Sequence, residues 1–129
     1  MSTSYFPDHI EISCGPVSAV DLSLYAAASG DLNPLHLDEG IAKNSGFDKP
    51  LVHGMLTMAY AGRLFTNNFG ADSLVSISTR FIGAAKRGDL ITLSAKLMES
   101  DHGTAAYELT GHTDSGVEIV SGSAVIRSK

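Results

Sequence analysis

The stretch His53-Gly54-Met55-Leu56-Thr57-Met58-Ala59-Tyr60-Ala61-Gly62-Arg63-Leu64-Phe65-Thr66-Asn67-Asn68-Phe69 decides the fold. It follows Pro50, and nearly all of its faces carry apolar or small residues. That pattern predicts a long helix buried in the middle of a domain. Its small residues would let a sheet approach the helix backbone closely. From residue 73 the texture changes. Val75, Ile77, Thr79 and Phe81 alternate with Ser76, Ser78 and Arg80, which is the period of a strand. Ile91, Leu93, Ala95 and Leu97 repeat the alternation after a turn at Arg87-Gly88-Asp89. A further strand is expected near 104–112, then a hairpin at Asp114-Ser115-Gly116 and a last strand over 117–126. In that last strand the apolar set switches from 117 and 119 to 120, 122, 124 and 126, so a bulge is expected near Val120.

Upstream, 17–29 reads as a helix. Ser18 and Asp21 have the spacing of a capping box, Leu22, Tyr25 and Ala26 share one face, and Gly30 stops it. A short helical turn is expected over 38–43, and residues 6–12 as a first strand. The whole is an α+β arrangement: about five antiparallel strands around one long helix, in a single domain over 1–129.

Composition is consistent with this. The chain has 129 residues, 43% hydrophobic and 18% charged, with a mean hydropathy of +0.10. Surface scaling allows about two-thirds of the unfolded surface to be buried, so a real core forms without staples. The net charge of −5 argues against a nucleic-acid partner, since the one basic pair is Lys86-Arg87. The lone Cys14 excludes an internal disulfide and a Cys-based zinc cluster. The start MSTSYFPDHIEIS has neither a cationic region nor an apolar run, and no stretch is long and apolar enough to span a bilayer. A cytoplasmic protein with no membrane partner is expected.

The densest polar information is Ser29-Gly30-Asp31-Leu32-Asn33-Pro34-Leu35-His36. Asp31 and His36 stand five apart on a segment pinned by Gly30 and Pro34. A carboxylate and an imidazole on one rigid loop can hold a water between them and move its protons. The plainer reading, in which Asp31 turns the chain and His36 packs, is weakened by the apolar helices on both sides. Val52-His53-Gly54-Met55 then opens the long helix, where free backbone N–H groups and the positive end of the dipole can meet an oxyanion.

Tyr25-x2-Ala28-Ser29-Gly30-Asp31-Leu32-Asn33-Pro34-Leu35-His36-x5-Ala42 resembles the hydratase-2 motif of MaoC-like dehydratases and (R)-specific enoyl-CoA hydratases. Leu51-Val52-His53-Gly54-Met55-Leu56 resembles the same family's second signature, and the likeness spans 17–127. Ala28 departs mildly from the family pattern. The resemblance implies a hot-dog fold and a homodimer joined edge to edge, with active sites near the interface. It implies reversible syn addition of water to a trans-2-enoyl thioester of CoA or acyl carrier protein in fatty-acid metabolism, with no metal or other cofactor. By the same resemblance, Asp31 and His36 are the catalytic pair and the Gly54 N–H polarises the thioester carbonyl. Asn33 and His53 are placed with Gly54 among the oxyanion and substrate-binding residues, Asn33 as an orienter of the loop. Some relatives carry Ser where this chain has Gly62. Lys86 and Arg87 are candidates for the carrier's phosphates, although the family often has a proline where Ala84 or Ala85 stands. Two rivals share the fold. One is an acyl-CoA thioesterase, a class that lacks the Asp31, Asn33-Pro34, His36 arrangement. The other is a thioester-binding subunit of a heteromeric dehydratase, in which the Asp/His pair is usually lost.

Overall fold

The computed structural model describes residues 5–128; residues 1–4 and Lys129 lie outside the described residues. The elements are β1 (His9–Cys14), α1 (Ala19–Ser29), a 3-10 turn (Pro34–His36), α2 (Glu39–Asn44), α3 (Gly54–Phe69), β2 (Leu74–Phe81), β3 (Ile91–Asp101), β4 (Thr104–Thr113) and β5 (Glu118–Arg127). The five strands form one sheet in the order β1-β3-β4-β5-β2, antiparallel at every pairing. With α3 packed on its inner face, this is the hot-dog arrangement. The first strand starts three residues later than expected, because His9 to Cys14 is the run that pairs with Lys96 to Ile91.

Local chemistry sets the helix ends. Ser18 Oγ accepts from the Asp21 N–H at 3.0 Å and Asp21 Oδ2 accepts from the Ser18 N–H at 2.9 Å, a complete capping box. Gly30 closes α1 at φ 79°, a left-handed conformation that a side chain would strain, and donates to the Ala26 carbonyl at 2.9 Å. Asp38 caps α2 by accepting from the Ile41 N–H at 3.0 Å.

The core lies between α3 and the sheet. Ala61, Leu64 and Phe65 of α3 are fully buried against Ile91, Leu93, Leu109 and Ile126. The Phe65 ring meets Tyr107 edge-on at 6.0 Å, and the Tyr107 hydroxyl donates to the Pro7 carbonyl at 2.7 Å. A large-to-small change at such a site costs about 3–5 kcal/mol. Gly122 lets β2 close on β5, since a Cβ there would run into the Ser78 carbonyl.

The expected bulge in the last strand is present. Gly111 pairs with Val120 while His112 pairs with Glu118, so Ile119 is the extra residue, and both Ile119 and Val120 are buried. Two features differ from the sequence pattern. Another irregularity, between Leu74 and Ser76, throws Val75 outward, and Phe81 at the far end of β2 is also half exposed. The cause is that β2 is an edge strand with no neighbour on one side. Likewise α3 is not enclosed all round within one chain: Leu56, Thr57, Ala61, Leu64 and Phe65 face the core, while Met55, Ala59 and Arg63 are exposed. Among the described residues no helix is long and apolar enough to cross a membrane.

Candidate active site

The chain leaves α1 at Gly30 through three nested local bonds. Ser29 Oγ accepts from the Asp31 N–H at 3.2 Å, Asp31 Oδ1 from the Asn33 N–H at 3.3 Å, and Asn33 Oδ1 from the Leu35 N–H at 3.0 Å. Short polar side chains compete here with regular backbone pairing and win because Pro34 forbids the helix from continuing. Pro34 then starts the 3-10 turn that carries His36. Asn33 Oδ1 is thus engaged within the loop itself.

The outcome is one carboxylate oxygen used for the turn and the other turned toward His36. Asp31 Oδ2 lies 3.7 Å from His36 Nε2. That gap is too long for a direct hydrogen bond, and a water placed about 2.8 Å from each atom fits between them. The Asp31 side chain is 51% exposed and that of His36 14%, so the pair opens to solvent on the carboxylate side. His36 Nδ1–H donates to the Leu51 carbonyl at 2.8 Å. This assigns the tautomer and leaves a lone pair on Nε2, aimed at the gap.

The second segment arrives by long-range pairing. The Leu51 N–H donates to the Leu35 carbonyl at 2.9 Å, the Val52 N–H to Ala85 at 2.8 Å, and the Arg87 N–H to Pro50 at 2.9 Å. Residues 50–52 are therefore a strap between the 3-10 turn and the 85–87 turn. The strap delivers His53 beneath His36. The two imidazoles stack with centroids 3.8 Å apart and planes 21° from parallel, and the Tyr25 ring meets His53 edge-on at 4.8 Å. His53 Nε2–H donates to the Asp31 backbone carbonyl at 3.2 Å, which leaves Nδ1 as a buried lone pair without a partner. Burial holds His53 below the ordinary imidazole value and His36 adds to this, while the Asp31 carbonyl and carboxylate oppose it.

Next along, α3 begins at Gly54 with no side-chain cap. Its first N–H groups have no acceptor within the helix, and the positive end of the dipole lies there. A Cβ on Gly54 would come within 3.4 Å of the Phe81 ring, so that ring already covers the helix start. Asp31, His36 and His53 bring ligand-type atoms within 4.8 Å of one another. Yet the two rings stack face to face, and His36 Nδ1–H and His53 Nε2–H are each committed to a backbone carbonyl. Such a set does not converge on a metal ion.

Lys86 and Arg87 flank the strap, but each has a carboxylate partner. Lys86 Nζ lies 2.7 Å from Asp48 Oδ1 and an Arg87 guanidinium nitrogen 3.6 Å from Glu39 Oε1. Sequence reasoning did not find the Leu51 carbonyl, which acts through the backbone and leaves no mark in residue type. Nor did it find the covering role of Phe81, whose alternation signals only a strand.

The MaoC like domain model matches residues 8–117. The chain is 33% identical over 118 residues to a 3-hydroxyacyl-thioester dehydratase of Mycobacterium tuberculosis, covering 88% of this chain and 40% of that protein. It is 32% identical over 113 residues to the (R)-specific enoyl-CoA hydratase of Aeromonas caviae, covering 84% of each. The solved structure of the (R)-hydratase from A. caviae involved in PHA biosynthesis superposes with a TM-score of 0.81 at 30% identity, covering 94% of both chains. The chain spans 35–45% of the length of three curated relatives, the mycobacterial one among them.

Proposed function

The chain belongs to the MaoC-like domain family, and from that premise we propose that it catalyses the reversible syn hydration of trans-2-enoyl thioesters to (3R)-hydroxyacyl thioesters. The observation that carries this reading is the 3.7 Å gap between Asp31 Oδ2 and the bare Nε2 of His36, beside the start of α3 at Gly54, which has no side-chain cap. The Gly54 N–H draws electron density onto the thioester oxygen, which makes C3 electrophilic. Removing one such donor in other enzymes costs about 3–4 kcal/mol of barrier lowering. Water held between Asp31 and His36 attacks C3. As its oxygen bonds to carbon, the pair takes one of its protons, and C2 receives a proton on the same face. Water is consumed whole, and no electrons are exchanged.

Hydration of crotonyl-CoA tests the reading. Loss of the enoyl absorbance without release of free thiol is the expected result. Release of free thiol would instead identify a thioesterase, and no change in either signal would sink the hydratase assignment for that substrate.

The proposal extends to a homodimer. The free edge of β2 carries exposed Val75 and Phe81, with Ile82 beyond it, and α3 exposes Met55 on the adjoining side. Unpaired edges of this kind are normally covered. The single chain exposes 7243 Å², above the roughly 6,500 Å² that scaling gives for its mass. Sedimentation should give twice the chain mass at micromolar concentration. Lys86 and Arg87 are proposed to receive the carrier's phosphates, exchanging Asp48 and Glu39 for the ligand.

A further inference from the structure

We propose that His53 is a positioning residue: its stack on His36 and its hydrogen bond to the Asp31 carbonyl hold the two reacting groups opposite each other without contact with substrate. The inference rests on the hydratase reading.

Burial removes His53 from the chemistry itself. Its side chain is 1% exposed, closed in by His36 on one face and by the Tyr25 ring. What it touches are the two parts that must stay in register. The Nε2–H at 3.2 Å fixes the Asp31 backbone, and so the origin of the carboxylate. The ring face at 3.8 Å fixes the plane of the His36 imidazole. His36 is also held in its own plane by Nδ1–H to the Leu51 carbonyl, two residues before His53. One strap thus supplies both restraints on the His36 imidazole, and the ring that stacks on it also holds the Asp31 backbone carbonyl.

The unpartnered Nδ1 accounts for the residue type. A buried polar atom without a partner costs stability and calls for an explanation. Phenylalanine would keep the stack and lose the donor. Glutamine would keep the donor and lose the stack. Of the three only histidine provides both, and the bare Nδ1 is what remains when Nε2 carries the proton. The groups facing the ring are Asp31, His36 and Tyr25. A neutral ring among them can lie against His36 whether or not His36 is charged, because an imidazolium is attracted to a neutral π face.

The test compares His53→Ala, His53→Phe and His53→Gln on crotonyl-CoA, with circular dichroism to establish folding. We expect His53→Ala to lose about 10- to 100-fold in kcat with KM changed by no more than about twofold, as for a misplacement of about 1 Å. His53→Phe and His53→Gln should each recover part of that loss, since each keeps one of the two links. If His53→Ala does not fold, the partial activities of the other two decide the matter. Wild-type kcat in all three, or a rise in KM at unchanged kcat, would overturn the proposal. A nuclear magnetic resonance reading needs no turnover. The His36 Nδ1–H proton should be sharp and slow to exchange in the wild type and in His53→Phe, and lost in His53→Ala; retention in His53→Ala would overturn the stacking role. An inactive wild type would count against the hydratase reading alone, leaving this second measurement to judge His53.

Discussion

Two segments build the site, and they are held by opposite means. Residues 29–36 are held mostly by neighbours: the backbone and turn bonds of Asp31 and Asn33 span two or three residues, apart from the one from His53. Residues 50–53 are held by partners 15 to 37 positions away, at Asp31, Leu35, His36, Ala85 and Arg87. The first segment forms its shape from its own residue types, while the second has a shape only when the rest of the chain is folded around it. The proposed chemistry needs both, since the carboxylate comes from the local segment and the orientation of the His36 imidazole from the long-range one.

The largest expected effect strikes where the two meet. Asp31→Asn and His36→Ala should each fold with wild-type circular dichroism and lose about 10²- to 10⁴-fold in hydration rate. Near wild-type turnover in either would remove that residue from the reaction.

A smaller effect separates the two modes of restraint. Asn33→Ala deletes a local cap, worth about 1 kcal/mol at comparable positions. It should lower kcat through a looser Asp31 while the stack below His36 stays in place. A crystal structure of the variant should show the 53–36 stack intact and the 31–35 turn relaxed. A disrupted stack would mean that the two segments are not independently held.

Next in size is the surface beside the strap. Replacing Lys86 and Arg87 together by Ala should raise KM for a CoA thioester several-fold and leave kcat alone, the sign of lost uniform binding. The effect should shrink with salt. An N-acetylcysteamine thioester, which lacks the nucleotide, should be indifferent to the change; equal damage to it would assign the two cations a structural role.

The smallest effect concerns acid. His53 is held below its ordinary value of 6.5, chiefly by burial, so the unfolded chain binds its proton more readily than the folded one. Stability contributed by the neutral ring is therefore present above about pH 6.5 and falls as the pH drops toward the folded value. Denaturant titrations from pH 7 down to 5 should show a shallower loss for His53→Gln than for the wild type. An identical slope would show that His53 does not titrate differently in the two states.

Much of the fold was legible because it rests on periodicity. The alternation of β3 and the shift of apolar residues around Val120 placed the strands and the bulge, and Ser18, Asp21 and Gly30 placed both ends of α1. Asp31 and His36 were legible because turn chemistry at Gly30, Asn33 and Pro34 is local. Periodicity could not say that β2 is an edge, because its residues look the same whether or not another strand lies beside them. That accounts for exposed Val75 and Phe81 and for the open side of α3.

What the amino-acid sequence determined by itself is thus whatever depends on residues within about one turn of each other: caps, turns, strand alternation, and the carboxylate and imidazole on one pinned loop. Only the tertiary structure decided which carbonyl fixes the His36 tautomer, that His53 lies buried beneath His36, and that Phe81 covers Gly54. The reason is physical. A backbone carbonyl is the same group at every position, and a histidine's partner is chosen by whichever group the fold brings to its ring. Neither the Leu51 carbonyl nor the His53 ring is near His36 in space until the strap has paired with both the 3-10 turn and the 85–87 turn.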